Sequence, residues 1–301
     1  MGRLRDVGGL LKQTGKDYLE DKVPRLAAAL AYYALFALAP LLLILIAVAG
    51  LVFGADEVRE AIGTQAGGLL GAESAEFIDG MVENAGSGKG GVVAAAFGTI
   101  ALIFGAGGVF VQLQDALNTV WEVKPKPGLP ILERIKNRLS TYAFVMAVAF
   151  LLLVSLAVSA AISSLSRWND ALNGPDALWL VVDWIVSLGV LTLVFAVLFK
   201  ALPDAKVKWR DVWLGALVTA GLFAVGKVLL GLYLGRPGAA ATFGAASALV
   251  LVVLWVYYCA QLVLLGAEFT QAYAHWRGRT IQPDEDAVAV TEDARAQEGL
   301  A

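Results

Sequence analysis

The sequence predicts an all-α polytopic membrane protein, a bundle of six transmembrane helices with both termini in the cytoplasm. Two features of the composition predict a membrane location. Mean hydropathy is +0.70, and 16% of the 301 residues are charged, whereas soluble domains carry about 25%. The third observation is the series of long apolar runs described next. Together they exclude an ordinary soluble domain.

Six apolar runs are long enough to cross a hydrocarbon core about 30 Å thick, which takes roughly 20 mainly apolar residues. Two of them contain one ionisable residue each, Asp183 in the fourth and Lys227 in the fifth. They lie within a predicted membrane domain at 25–278. The predicted spans are residues 26–53, 91–114, 139–165, 178–199, 212–235 and 242–267.

The distribution of lysine and arginine predicts the orientation, because cytoplasmic loops carry an excess of these residues. Eighteen lie before span one, in the loops after spans two and four, and in the C-terminal tail, whereas four lie in the other loops. Both termini are therefore predicted to be cytoplasmic.

Three segments flank the spans. Residues 1–24 have apolar residues at helical spacing between charged ones, which predicts an amphipathic interfacial helix on the cytoplasmic face. The loop 54–90 carries seven acidic residues and is predicted to form a helical cap outside the membrane, with short helices at 56–66 and 73–84. The tail 279–301 is acidic and poor in apolar residues, so it is predicted to be disordered.

Charge and residue counts also exclude several kinds of site. The net charge of −3 argues against a nucleic-acid-binding protein, which needs a basic surface for phosphates. Cys259 is the only cysteine and His275 the only histidine, so an internal disulfide is excluded and a Cys/His metal cluster lacks ligands. We predict no metal and no cofactor.

Span six carries a stripe of polar residues. Four follow one another at intervals of four, seven and seven positions: Tyr257, Gln261, Glu268 and His275. At about 100° per residue they share one helix face. Facing hydrocarbon would be costly, so the stripe is predicted to point into the bundle or a hydrated cavity. Two interpretations stay open, a hydrogen-bonded seam with an interfacial charge and the lining of a transport path.

The end of span two is also polar. Its polar residues include Gln112, Asp115, Asn118 and Trp121. We hypothesise a cytoplasmic-side cluster in which Arg25 pairs with Asp115 or Glu268, which would offset part of the cost of burying these charges. The alternative is a set of independent helix-end charges in the headgroup zone.

Other residues inside the spans are weaker signals. Pro40 removes one backbone hydrogen bond near the middle of span one and predicts a kink, and Tyr32 and Tyr33 lie about two turns toward the cytoplasmic side. Lys227 either snorkels to the interface or carries charge on a transport path.

Glycines recur in the spans, in the pairs Gly50 with Gly54 and Gly231 with Gly235 and in a cluster around Gly108. Such spacing lets helices approach closely. It predicts a tight bundle and a homo-oligomer through glycine-rich faces, with membrane lipids as the other expected partners.

Three stretches carry a further signal. They are RLAAALAYYALFALAPLLLILIAVAG at 25–50, LQDALNTVWEV at 113–123, and LPDAKVKWRDVWLGAL at 202–217 followed by LWVYYCAQLVLLGAEFTQAYAH at 254–275. In this order they resemble the bacterial inner-membrane family named YihY or virulence factor BrkB. The likeness covers about residues 10–278.

The resemblance implies a six-helix inner-membrane protein, related in some members to envelope integrity or serum resistance. Some members were formerly labelled ribonuclease BN. The residues here do not favour that role, because a nuclease needs clustered metal ligands and a basic surface. The family's motifs match this chain at Arg25, Tyr32, Tyr33, Pro40, Asp115, Asn118, Trp121, Pro203, Asp204, Trp209, Gly266 and Glu268.

Three functions are compatible with these features. Polar residues inside spans are functional by default, which favours a transporter or lipid-translocating protein with a polar interior path on the cytoplasmic half. The alternative is a non-transporting envelope scaffold that binds partners through its outer cap and glycine-rich faces. An enzyme is least favoured, because the sequence lacks the motifs G-x-x-x-x-G-K-[ST], H-E-x-x-H and G-x-S-x-G.

Overall fold

The computed structural model describes most of the chain as helix. The described residues are 2–70, 76, 78–80, 83, 108–127, 176–234, 247–291 and 294–295. The predicted span at 139–165 lies wholly outside them, and the span at 91–114 and the second cap helix at 73–84 lie largely outside them.

Among the described residues, seven helices and four short strands have continuous bounds, and residues 76, 78–80, 83 and 294–295 are also helical. The helices are α1 (Gly2–Glu20), α2 (Val23–Phe53), α3 (Ala55–Leu70), α4 (108–120), α5 (Asp176–Ala201), α6 (Trp209–Leu234) and α7 (Ser247–Trp276). The strands are β1 (Val123–Pro125), β2 (Ala205–Lys206), β3 (Gln282–Pro283) and β4 (Ala287–Ala289).

The chain divides into two compact units. Unit 1 contains Met1–Asp17, Leu117–Ala224 and Leu265–Ala301. Unit 2 contains Tyr18–Ala116 and Val225–Leu264. Each unit is described by itself below.

Three described helices are long and apolar enough to cross a membrane. The apolar stretches are Trp184–Ala201 in α5, Trp209–Leu229 in α6 and Leu249–Trp276 in α7, and between 22% and 33% of each is buried within the protein. Most residues of these stretches are therefore not fully buried within the protein. These helices coincide with predicted spans four, five and six, and α2 coincides with span one. The count of six spans stays a prediction.

In unit 2, α2 continues through Pro40 to Phe53, so the proline does not end the helix, and the kink stays a prediction. Gly54 ends α2 with φ of 93°, and its N–H donates to Gly50 O at 3.0 Å. Glycine adopts this positive φ without a steric penalty. The pair Gly50 and Gly54 therefore forms the turn into α3, which contains the first predicted cap helix.

Near the N-terminus, α1 forms the predicted helix. In unit 1 its Leu10 and Thr14 are buried, while Val7 and Leu11 are exposed. An apolar face without a protein partner is what contact with a membrane surface requires. The interfacial position of α1 stays a prediction.

The four strands of unit 1 form two antiparallel pairs, which we call the strand layer. β1 pairs with β4, with Val123 opposite Ala289, and β2 pairs with β3, with Ala205 opposite Pro283. The segment 279–291 therefore lies against both the chain that follows α4 and the loop between α5 and α6. The prediction of a disordered acidic tail is wrong for this part of it.

The acidic residues of the tail explain the difference, because they contact basic residues of the loops. Lys206 Nζ lies 3.5 Å from Asp284 Oδ1 and 3.8 Å from Glu285 Oε1. The N–H of Lys126 donates to Asp286 O at 2.9 Å. Composition alone predicts disorder from uncompensated charge, whereas here Lys206 lies beside two of the carboxylates and backbone hydrogen bonds hold the segment.

The strand layer also constrains topology. Because paired strands lie in contact, the chain after α4, the loop between α5 and α6, and the segment 279–291 must lie on one side of any membrane that α5, α6 and α7 cross. Their lysine and arginine content independently predicts the same grouping.

Candidate functional site

The polar stripe of α7 begins in unit 2 with Tyr257 and Gln261. The hydroxyl of Tyr18, in the last turn of α1, donates a hydrogen bond to Gln261 Oε1. Burial, and secondly the neighbouring Tyr257, raise the pKa of Tyr18, so its phenol stays protonated as a donor. This half of the stripe is therefore a seam between α1 and α7. Tyr18 was not predicted as a site residue.

The stripe continues in unit 1 with Glu268, whose exposed fraction is 0%. A carboxylate at this end of span six could have been solvated at the membrane interface, but Glu268 is buried. Thr270 and Gln271 beside it are also buried, whereas His275, at the end of the stripe, is exposed. α7 thus carries a carboxylate into the protein interior, where a charge is costly unless it is compensated.

The backbone around Glu268 is fixed by close packing of α6 against α7. Each helix carries a Gly-x-x-x-Thr motif, Gly215 with Thr219 in α6 and Gly266 with Thr270 in α7. A Cβ on Gly215 would overlap Thr270 Oγ1, and a Cβ on Gly266 would overlap Thr219 Oγ1. The two motifs therefore face each other, and we call this the Gly–Thr contact.

Both threonine hydroxyls in the Gly–Thr contact have an acceptor within their own helix. Thr219 Oγ1 donates to Gly215 O at 2.8 Å, and Thr270 Oγ1 donates to Gly266 O at 2.7 Å. Small residues at this spacing allow helix backbones to approach closely. The Gly-x-x-x-Thr motif is visible in the sequence, but only pairs and clusters of glycines were predicted as packing sites.

A second cluster in unit 1 joins Asn118 of α4 to the loop that follows α5. Asn118 Nδ2 donates to Asp204 Oδ2 at 2.8 Å, and the N–H of Asp204 donates to Asn118 Oδ1 at 2.8 Å. Asp204 O accepts the N–H of Asp284 at 2.9 Å. Three positions that are distant in sequence are thereby tied together. Trp121 packs in the same unit with its side chain buried.

The other predicted cluster residues lie in unit 2. Arg25 and Asp115 are exposed and Gln112 is half-buried, and the pairing of Arg25 with Asp115 stays a prediction. Glu268 belongs to unit 1, so its pairing with Arg25 stays a prediction.

The tyrosine pair of α2 packs against a glycine of α4. Tyr32 and Tyr33 are exposed, and their ring centroids lie 5.8 Å apart in an edge-to-face arrangement. A Cβ on Gly108 would lie 3.2 Å from Tyr33 Cδ1. Gly108, which was predicted as a packing glycine, is therefore in close contact with this ring.

Lys227 of α6 has an exposed side chain on unit 2. The adjacent Gly226 is buried, and a Cβ there would overlap the Tyr258 hydroxyl. The exposed position is the one that snorkelling requires. The described residues contain no group of three His, Cys, Asp or Glu side chains placed to hold a metal ion.

The comparison with known proteins identifies the family. Residues 14–290 match the family described as Virulence factor BrkB. The chain belongs to the BrkB family. This confirms the resemblance carried by the three sequence stretches, and the BrkB matches include the positions of Asn118, Asp204 and Glu268. No solved structure matches the chain.

Relatives of this BrkB chain are named as membrane proteins. A UPF0761 membrane protein from Pseudomonas paraeruginosa is 29% identical over 275 residues, which is 88% of this chain and 63% of the relative. One from Rhodospirillum centenum is 28% identical over 93% of this chain and 61% of the relative. One from Azotobacter vinelandii is 31% identical over 86% and 62%. The chain thus spans about three fifths of these relatives.

Family, relatives and apolar helices together make this a membrane protein of the BrkB family. The names of the relatives state no enzymatic activity. What the structure adds is a buried carboxylate on a rigidly packed helix, a hydrogen-bonded seam in unit 2, and a strand layer that joins three segments of unit 1.

Proposed function

We propose that this BrkB protein is a transporter or lipid-translocating protein of the bacterial inner membrane, linked to envelope integrity. The complete burial of Glu268 carries the proposal. Ionisable residues inside an apolar helix of membrane-spanning length are costly, and they mark substrate or ion pathways by default. The Gly–Thr contact holds the backbone on both sides of Glu268, so the carboxylate has a defined position.

The proposal includes a topology of six spans with both termini in the cytoplasm. The strand layer would then lie on the cytoplasmic side together with most of the lysines and arginines. The strand layer joins the chain after α4, the loop between α5 and α6, and the segment after α7. In a bundle of six spans these three segments follow spans two, four and six, so all three would lie on the same side of the membrane. This supports the proposed topology.

Substitution of Glu268 separates transport from scaffolding. Glu268→Gln keeps the shape of the side chain and removes its charge, so we expect it to abolish complementation of an envelope-stress phenotype while the protein level is unchanged. Glu285→Gln changes an exposed carboxylate outside the 54–90 cap and is the matched control. Full complementation by Glu268→Gln would contradict a transport role.

A second test concerns the path itself. Single cysteines at Tyr257 and Gln261, introduced into a Cys259→Ala background, should react with a water-soluble maleimide if a hydrated path reaches them. Uniform protection of both positions would count heavily against transport.

The scaffold function is the second candidate, and the hydrogen bond between Tyr18 and Gln261 favours it. A polar residue with a partner inside the protein needs no water-filled path to explain it. A scaffold predicts tolerance of Glu268→Gln and sensitivity to substitutions in the 54–90 cap, scored in the same complementation assay.

We propose no catalytic activity and no cofactor for this protein. An enzyme would have to show metal-dependent turnover that His275→Ala or Glu268→Ala abolishes. The proposed partners are membrane lipids and a second copy of the chain, with Gly231 and Gly235 as the remaining predicted contact, because Gly50 and Gly54 form a turn.

A further inference from the structure

Unit 1 contains a cavity of about 500 Å³ between α5, α6 and the chain at the end of α7. Arginines form one end of it, since Arg210 lies in the first turn of α6 and Arg277 and Arg279 follow α7. Leu214 and Leu217 line it one to two turns further into α6. The cavity is therefore cationic at the end nearer the strand layer and apolar toward the predicted membrane interior.

One of the three arginines is neutralised within the cavity. Arg279 Nη1 donates to Asp211 Oδ1, and the Asp211 side chain is 3% exposed. Arg210 and Arg277 take part in none of the ion pairs among the described residues. Because Asp211 is the one acidic residue in the lining, the cavity retains an excess of positive charge.

Arg277 is held in place by aromatic rings. Its guanidinium carbon lies 5.4 Å from the ring centroid of Tyr273 and 5.6 Å from that of Trp276. Nε and Nη2 donate to the Tyr273 hydroxyl at 3.0 and 2.9 Å. This leaves the Nη1 group of a positioned arginine for a further acceptor. Stacked arginines with a fixed fork of donors are well suited to phosphate.

We propose that this cavity binds the phosphate group of an anionic lipid, with the lipid's acyl chain along Trp213, Leu214 and Leu217. Basic pockets between transmembrane helices bind phosphorylated headgroups, and tryptophan and tyrosine rings are favoured at the headgroup level of a bilayer. The apolar wall is what distinguishes this site from one for a soluble phosphate. An anionic lipid would then be the substrate of the proposed transporter. Binding of the lipid does not depend on the proposed function, whereas its transport does.

The test measures binding of phosphatidylglycerol to the full chain in mixed micelles with phosphatidylcholine, by native mass spectrometry. Arg210→Gln/Arg277→Gln should lower the preference for phosphatidylglycerol roughly thirtyfold. Arg210→Lys/Arg277→Lys keeps the charge but loses the fork of donors, so we expect a smaller loss. Lys126→Gln/Arg59→Gln removes two exposed charges that lie outside the cavity lining and outside α1, and it should leave the preference unchanged.

Two outcomes overturn the proposal. One is an absence of preference for phosphatidylglycerol in the wild-type protein, and the other is an equal loss in the Lys126→Gln/Arg59→Gln control. Both arginines of the test variant are exposed, and an unchanged thermal melting curve verifies that the variant is folded.

A second arm identifies the source of the phosphate. Leu217→Asn should weaken binding of phosphatidylglycerol and leave weak binding of inorganic phosphate unaltered. If inorganic phosphate instead binds as tightly as the lipid and Leu217→Asn has no effect, the lipid source is wrong. This assay measures binding and needs no translocation. Lipid binding can therefore be confirmed even if Glu268→Gln shows that the transport proposal is wrong. Lipid binding can also be disproved while the transport proposal stands.

Discussion

At the scale of single residues, Asn118 and Asp204 satisfy each other's hydrogen-bonding groups. Asn118 is 4% exposed and serves both the carboxylate and the backbone N–H of Asp204. Asn118→Ala removes two hydrogen bonds and leaves a partly buried N–H without an acceptor, so we expect a loss of about 1–3 kcal/mol in the free energy of unfolding. Unfolding in detergent followed by circular dichroism measures it.

The matched control is Asp204→Ala, which retains the backbone N–H as a donor to Asn118 Oδ1. The double variant should cost less than the sum of the two single variants. Strictly additive losses would contradict the reciprocal pairing.

Tyr18 gives a prediction about pH. Burial and Tyr257 raise its pKa above the usual value near 10, so the unfolded chain loses the phenolic proton at lower pH than the folded protein does. The stabilisation is complete below pH of about 10 and is lost as pH rises through the raised pKa. The melting temperature of Tyr18→Phe should therefore fall less steeply above pH of about 10 than that of the wild type, while Tyr32→Phe, at an exposed tyrosine, should behave as the wild type. Equal slopes for all three proteins would show that Tyr18 is not buried against α7.

At the scale of elements, the Gly–Thr contact fixes the distance between α6 and α7. Gly215→Ala places a Cβ against Thr270 Oγ1, and such overpacking costs about 1–3 kcal/mol. We expect a lower melting temperature, partly restored in Gly215→Ala/Thr270→Ala because the hydroxyl is then absent. Gly221→Ala is the control, since a Cβ there contacts nothing within 4 Å. A neutral effect of Gly215→Ala would contradict the close approach.

A second prediction at the scale of elements concerns amide hydrogen exchange in the segment 279–291. The N–H of Val290 donates to Glu122 O at 2.8 Å, and that of Asp284 donates to Asp204 O at 2.9 Å. Both amides should exchange with deuterium more slowly than those of an unstructured peptide of the same sequence, because exchange requires the strand layer to open. Exchange at the unstructured rate throughout 282–291 would restore the prediction of a disordered tail.

Some of these elements could be predicted from the sequence and others could not, because some depend on local residues and others on distant ones. α5, α6 and α7 could be predicted because each is a local run of apolar residues that a membrane selects by length. The ordered structure of the segment 279–291 could not be predicted, because it depends on pairing with β1 and β2, which are far away in the chain. The hydrogen bond between Tyr18 and Gln261 spans 243 positions, and no periodicity within either helix encodes it. Burial of Glu268 likewise depends on its neighbours, although its helix face was predicted.

At the scale of the whole molecule, the central claim is a membrane protein whose strand layer lies on one side of the bilayer. Family membership and three apolar helices of spanning length carry the membrane location. Two independent observations predict that the strand layer lies on one side of the bilayer. One is the distribution of lysine and arginine, which governs membrane insertion, and the other is the pairing of the strands within unit 1.

The most direct measurement is labelling of single cysteines in the Cys259→Ala background, with a membrane-impermeant maleimide applied to intact spheroplasts and to inverted membrane vesicles. Cysteines at Lys126, Lys206 and Glu285 should be labelled only in inverted vesicles, and a cysteine at Asp56 only in spheroplasts. Labelling of Lys126 and Lys206 from opposite sides would contradict the account, because strands on opposite sides of a membrane cannot both pair with the segment 279–291.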